Sequence, residues 1–194
     1  NYLLNKDIKL QNQVLLKSKD IKVGLKKLPT KKYIAIGCRH ESNQIGTFRN
    51  ISKNSFINMI KKLNNILPNQ TKIIISDKKG CNYFKKISKD NSLMCLFSKD
   101  YSKDFLSDGK IILNSDAFFQ LKGGGIMEFA IFSKLPFLIS TADETYQEYQ
   151  WKKNYENSWH ESNQIYLRPS LYNKNFLAEK KFFNFLKKFE FNNL

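Results

Sequence analysis

The 194-residue sequence has few of the features that mark disulfide-rich, metal-binding or membrane-spanning proteins. Its three cysteines, at positions 38, 81 and 95, are odd in number and lack the paired spacing of a zinc site. No apolar run approaches the roughly 18 residues of a transmembrane helix, and the first residues lack the charged-then-apolar order of a signal peptide. We therefore predict reduced cysteines, no metal site, no cofactor, and a cytoplasmic location, with the inner membrane face as an open alternative.

Arginine is scarce in an otherwise basic chain. Lysine and arginine together number 33 against 17 acidic residues, a net charge of +16, yet only Arg39, Arg49 and Arg168 are arginines. Surfaces that recognise phosphate or base edges are usually rich in the forked guanidinium, so we favour a solubilising lysine surface over a nucleic-acid partner. Peripheral contact of the lysines with an anionic membrane or ligand stays open. The scarcity makes each arginine a candidate for a role that lysine cannot fill.

Strand-like and helix-like segments alternate along the chain. Apolar runs typical of strands occur at 32–38, 73–75, 93–97, 117–121, 135–139 and 165–167. Apolar residues at helical spacing occur at 55–67, 83–87, 104–113, 126–132 and 175–189. Because the helices must cross over between parallel strands, we predict an α/β fold with a doubly wound, Rossmann-like parallel sheet of about five or six strands. This domain spans 31–194, after a lead-in segment or linker at 1–30.

The carboxyl ends of the predicted strands are the expected ligand site, as in other open α/β sheets. One such end carries a run of three glycines, Gly123, Gly124 and Gly125. Glycines let the backbone approach a ligand closely, and the helix predicted after them would offer free N–H groups and a positive dipole end to an anion such as a diphosphate. A plain strand-to-helix turn is the alternative. The run is not a Walker loop, because no Gly-Lys-Ser/Thr follows it.

The stretch around these glycines resembles the donor-binding, carboxyl-terminal half of GT-B glycosyltransferases. In that family a small residue and Asp introduce a strand, followed by a glycine-rich turn, a helix bearing Glu and a Pro that opens the next strand. The matching residues here are Ser115-Asp116, Gly123 to Gly125, Glu128 and Pro136. The resemblance covers 32–194 and implies one GT-B-type half, with Glu128 on the ribose of a nucleotide-sugar. Retaining members carry a second glutamate eight positions earlier, where this chain has Gln120.

The first strand end carries a second resemblance. Ile36 to Glu41, followed by Phe48-Arg49-Asn50, is similar to the strand-end arginine loop of fucosyltransferase-like and related bacterial GT-B proteins. The likeness implies that Arg39, with Arg49 nearby, meets the donor phosphates. A guanidinium suits a pyrophosphate because its planar fork makes two charge-assisted bonds. The alternative is a surface ion pair between Arg39 and Glu41 or a neighbouring acid.

Three side chains near the strand ends are candidates for a general base: His40, Glu41 and Asp77. We predict a glycosyltransferase donor domain that takes a sugar from a nucleotide-diphospho-sugar to a glycan or lipid-linked acceptor in surface glycan synthesis. The acceptor half would lie outside this sequence. Two other function classes stay open, a non-enzymatic nucleotide-binding α/β module and a basic domain that binds nucleic acid or a membrane.

Overall fold

The computed structural model describes residues 16–40, 50–120, 125–140 and 164–167. The strands of this part are β1 (Tyr33–Gly37), β2 (Thr71–Ile75), β3 (Leu96–Phe97), β4 (Ala117–Gln120), β5 (Phe137–Ser140) and β6 (Gln164–Leu167). Its α-helices are α1 (Lys53–Ile66), α2 (Lys78–Asp90), α3 (Phe105–Leu113) and α4 (Glu128–Ile131). Short 3₁₀ turns occupy Ser18–Asp20, Ser98–Asp100 and Gly125–Met127.

The strands form one sheet in the order β3-β2-β1-β4-β5-β6, and every neighbouring pair is parallel. The chain builds outward from β1 through β2 to β3, then returns through α3 to place β4 on the other side of β1. The strand order therefore reverses between β1 and β4, which is where open α/β sheets bind ligands. The predicted doubly wound, Rossmann-like α/β fold is confirmed.

Helices cover both faces of the sheet, which explains why its strands read as continuous apolar runs. On one face, Ile34 and Ile36 of β1 pack in a cluster with buried residues of α1 and α2. On the other face, Tyr33 and Ala35 pack with residues of α3 and α4. Successive side chains of a strand point to opposite faces, so a short strand supplies both cores.

The longer helices each begin at a polar residue that caps the first turn. Ser52, Asp77 and Asp104 accept hydrogen bonds from the backbone N–H three residues later, at the starts of α1, α2 and α3. The bond from the Ser107 N–H lowers the pKa of the Asp104 carboxyl. Such caps are each worth about 1 kcal/mol and fix where a helix starts after a strand.

Two helices differ in length from their predictions. Helix α2 runs well beyond the predicted 83–87 in both directions. The helix predicted at 126–132 is instead a 3₁₀ turn followed by the single turn of α4, so the expectation of a longer helix there was wrong. Phe129, Ala130 and Ile131 of this turn are buried, whereas Phe132 is exposed. The turn ends early, and the Ser133 hydroxyl donates to the Ala130 carbonyl at 2.8 Å. The helix predicted at 175–189 lies outside the described residues.

The described part of the lead-in segment packs on the α3 and α4 face. Ile21 is buried there, and the Leu16 N–H donates to the Phe132 carbonyl at 2.7 Å. The Lys110 ammonium donates to the carbonyls of Ile21 and Val23 at 3.1 and 3.0 Å. The described chain before β1 thus packs on the side of the sheet that carries α3 and α4.

The three cysteines are free, with Cys38 and Cys81 buried and Cys95 half-buried. Burial raises the pKa of each thiol, so these groups stay protonated at neutral pH. Within the described ranges, no helix is both long enough and apolar enough to cross a membrane.

Candidate functional site

A cleft of about 890 Å³ opens where the strand order reverses, at the carboxyl ends of β1, β2 and β4. Four of the residues singled out in the sequence line it, namely Arg39, His40, Asp77 and Gly125. They come from three separate strand ends, and the parallel sheet brings these ends to one edge. Glu41, Arg49, Gly123 and Gly124 lie outside the described residues.

Glu128 does not contribute to the described lining of the cleft. It is the first residue of α4, half-buried, and this burial raises the pKa of its carboxyl. Its predicted contact with a ribose stays a prediction.

Asp77 has a structural task at the cleft edge. Its carboxylate accepts the Gly80 N–H at 2.6 Å and caps α2. The first turn of α2 also packs tightly on the end of β2, because a β-carbon at Gly80 would stand 2.1 Å from the Ser76 hydroxyl oxygen. One carboxylate oxygen of Asp77 is therefore committed to the helix, which weakens its case as a general base.

His40 is held at the end of β1 by aromatic rings of α2. Its imidazole lies parallel to the Tyr83 ring, with centroids 3.6 Å apart and an angle of 2° between the planes. Phe84 meets the same imidazole edge-on at 6.2 Å. The sequence indicated His40 as a candidate, but it did not indicate the stacking on Tyr83. A tyrosine within a helical apolar pattern does not show which distant side chain it will contact.

Lysines supply most of the positive charge in the cleft. Lys78, Lys85, Lys99 and Lys103 line it together with Arg39, against three aspartates, Asp77, Asp100 and Asp108, which leaves an excess of two positive charges. Lys99 pairs with Asp108, and Lys85 pairs with Asp100. Lys78 and Lys103 make no ion pair with a described residue. Nothing in the sequence distinguishes these four lysines from the many others in this lysine-rich chain.

Gln120 ends β4 at the cleft floor, opposite Gly37 in the register of β1 and β4. Its side chain lies across the Gly37 α-carbon, where a β-carbon would stand 3.0 Å from the side-chain amide carbon and oxygen. Only 3% of Gln120 is exposed. Its side-chain oxygen Oε1 accepts no hydrogen bond from any described residue.

The other end of β4 carries Ser115 and Asp116, which took part in the resemblance to GT-B proteins. The Asp116 N–H donates to the Tyr33 carbonyl at 2.8 Å, at the start of β1. Burial raises the pKa of the Asp116 carboxyl. Four residues of strand, about 13 Å, separate this carboxyl from the cleft. Asp116 therefore belongs to the opposite edge of the sheet.

Gly125, the last glycine of the run, lines the cleft, but the structure after it differs from the expectation. Gly125 is exposed on the lining, and a β-carbon there would meet nothing within 4 Å. The helix that follows, α4, has four residues. A single turn aligns few peptide dipoles, so its dipole stabilises an anion less than the predicted longer helix would. Anion binding at this turn stays a prediction. Charge in the described cleft comes from side chains instead.

Comparisons with protein-family models, with curated proteins and with solved structures found no match to this chain. Within the described residues, no group of three or more His, Cys, Asp or Glu side chains is placed to hold a metal ion. The cleft, with its cations and its aromatic and amide side chains, is the feature on which a function can be proposed.

Proposed function

We propose that this chain is the donor-binding half of a glycosyltransferase and holds a nucleoside-diphosphate sugar in the cleft. The observation that carries the proposal is the position of Arg39, on the cleft lining at the end of β1 and beside the reversal of strand order. Ligands of doubly wound sheets bind at that point. The planar guanidinium fits a diphosphate through two parallel hydrogen bonds.

The size and charge of the cleft support this ligand class. Its volume of about 890 Å³ lies within the range of roughly 300–1,000 Å³ that is typical of small-molecule sites. Lys78 and Lys103 add cations that no described carboxylate neutralises, and a diphosphate brings the opposite charge. His40, held on Tyr83, is the proposed proton acceptor for a hydroxyl of the glycan or lipid-linked acceptor. A cytoplasmic location is part of the same proposal.

A second candidate, peripheral binding to an anionic membrane, is favoured by one surface feature. Phe105 and Leu106, at the start of α3, are 54% and 51% exposed, and Lys103 lies beside them. Exposed apolar side chains next to a cation are typical of contacts with an anionic lipid surface. Flotation with vesicles of phosphatidylglycerol would detect this contact, and Phe105→Ser would weaken it. If Phe105→Ser binds the vesicles as wild type does, the proposed membrane contact at the start of α3 is contradicted.

The test of the main proposal is a calorimetric and thermal-shift panel of UDP-, GDP- and CMP-sugars with the matching nucleoside diphosphates. A ligand at 100 times its Kd stabilises the folded state by about 2.7 kcal/mol. Arg39→Lys keeps the charge and loses the two-pronged geometry, so affinity for the diphosphate is expected to fall by about 1–3 kcal/mol. Lys61→Ala, an exposed change on α1 outside the described lining, is the control.

Two outcomes would contradict the proposal. If no nucleotide or nucleotide-sugar stabilises the wild-type protein, the donor-site assignment fails. If Arg39→Lys binds with wild-type affinity, the guanidinium is not the diphosphate contact, because an exposed ion pair with a neighbour contributes only about 0–1 kcal/mol.

A further inference from the structure

The side chain of Gln120 is an unusual feature of the cleft floor. It is 3% exposed, it lines the cleft, and its oxygen Oε1 has no hydrogen-bond donor among the described residues. A buried carbonyl-type oxygen without a donor destabilises the folded state, because water no longer solvates it. A methionine or leucine of similar size would avoid that cost.

The neighbouring strand makes room for this amide. Gly37 faces Gln120 in the register, and any larger side chain at position 37 would contact the amide carbon and oxygen. The Gln120 side chain can therefore lie over β1, next to the strand end that carries Arg39. The amide and the guanidinium thus line the same cleft from adjacent strands.

We propose that Oε1 of Gln120 accepts a hydrogen bond from a hydroxyl group of the ligand and makes Gln120 a specificity-determining residue of the cleft. Phosphate oxygens only accept hydrogen bonds, so a phosphate cannot satisfy Oε1. A donor is required, and most donors of a nucleotide-sugar are the hydroxyls of its ribose and its sugar. The assignment of this ligand rests on the proposed function. In this arrangement Arg39 binds the anionic part of the ligand, and Gln120 selects the hydroxylated part.

The test uses Gln120→Met in the full chain, because methionine has a similar shape and no acceptor oxygen. Without ligand, urea unfolding is expected to show Gln120→Met at least as stable as wild type. With ligand, its affinity for the best nucleotide-sugar of the panel is expected to fall about tenfold, while affinity for inorganic pyrophosphate stays unchanged. Loss of affinity for the nucleoside diphosphate as well would place the hydroxyl on the ribose, and loss for the nucleotide-sugar alone would place it on the sugar.

Gln70→Met is the matched control. Gln70 also carries a buried Oε1 without a described partner, but it precedes β2 at the opposite edge of the sheet and does not line the cleft. This variant is expected to bind every probe as wild type does. Gln120→Glu, which keeps an acceptor oxygen in the same place, is expected to retain more affinity for an uncharged sugar than Gln120→Met.

Two results would overturn the inference. If Gln120→Met binds the nucleotide-sugar with wild-type affinity, Oε1 of Gln120 accepts no hydrogen bond from a ligand hydroxyl. If Gln120→Met unfolds at a lower urea concentration than wild type without ligand, the amide has a structural role. If wild type binds pyrophosphate but no nucleotide-sugar, the proposed function fails, and the assignment of a ligand hydroxyl to Gln120 fails with it.

Discussion

His40 and Tyr83 are stacked face to face, with ring centroids 3.6 Å apart, although one follows β1 and the other lies on α2. The contact joins the loop after β1 to the helix after β2. It fixes the plane of the imidazole at the cleft wall, where His40 is the proposed proton acceptor. Tyr83 is thus a positioning residue for that role.

We expect Tyr83→Leu to release the imidazole and Tyr83→Phe to retain it. An aromatic pair is worth about 0.5–1.5 kcal/mol beyond the area it buries, so the leucine variant is expected to lose about that much stability more than the phenylalanine variant. Proton NMR would check the geometry, because the Tyr83 ring shifts the His40 ring protons upfield. The chain has two histidines, and His160→Gln assigns the signals. Unshifted His40 signals in wild type would contradict the stack.

Gly109 of α3 packs directly against the Phe129 ring of α4. A β-carbon at Gly109 would stand 2.4 Å from two ring carbons. Alanine favours a helix by about 1 kcal/mol over glycine, but overpacking costs about 1–3 kcal/mol. Gly109→Ala is therefore expected to lower the free energy of unfolding in urea.

The paired variant Phe129→Leu shows whether the ring is the cause. The double variant is expected to lose less stability than the sum of the two single changes, because the smaller side chain leaves space for the β-carbon. Gly24→Ala is the control, since a β-carbon there would meet nothing within 4 Å. A Gly109→Ala variant more stable than wild type would contradict the close contact between Gly109 and the Phe129 ring.

The two ion pairs of the cleft are expected to differ in their effect on stability. The side chains of Lys99 and Asp108 are 17% and 6% exposed, and the Ser102 hydroxyl also donates to Asp108 at 2.5 Å. The side chains of Lys85 and Asp100 are 38% and 45% exposed. Lys99→Met leaves a buried carboxylate without its cation and is expected to cost on the order of 3 kcal/mol. Lys85→Met is expected to cost about 0–1 kcal/mol, and equal losses in urea unfolding would contradict the difference in burial.

Asp116 gives a prediction about pH. Burial raises the pKa of its carboxyl in the folded state above the unfolded value. The Asp116 carboxyl therefore favours the folded state most at a pH below its unfolded pKa. This contribution to the free energy of unfolding is lost as the pH rises through the folded pKa. Asp116→Asn removes the charge, so we expect it to be more stable than wild type at pH 7, with the advantage shrinking as the pH is lowered into the carboxyl range. Nucleotide binding is expected to stay unchanged, and a variant that is less stable at pH 7 would contradict the burial effect.

Much of the fold could be predicted from the sequence, because apolar runs and helical spacing are local patterns. The buried strands at Tyr33–Gly37 and Ala117–Gln120 lie within one residue of their predicted ends. The rule that ligands bind at the carboxyl ends of parallel strands placed Arg39 and His40 on the cleft that the structure shows. These predictions needed only residues close together in the chain.

The remaining features depend on contacts between residues far apart in the chain. Gly109 appears in the sequence only as a weak point of a helix, whereas the structure shows that the Phe129 ring requires it. The single turn of α4 replaced a predicted longer helix, and the cleft lysines were hidden among many others. The sequence alone determined the order of strands and helices, because that order follows from local periodicity. Only the tertiary structure decided that Gln120 would lie buried over Gly37, because the two residues are 83 positions apart in the chain. The packing of their two strands removes the water that would otherwise solvate the amide.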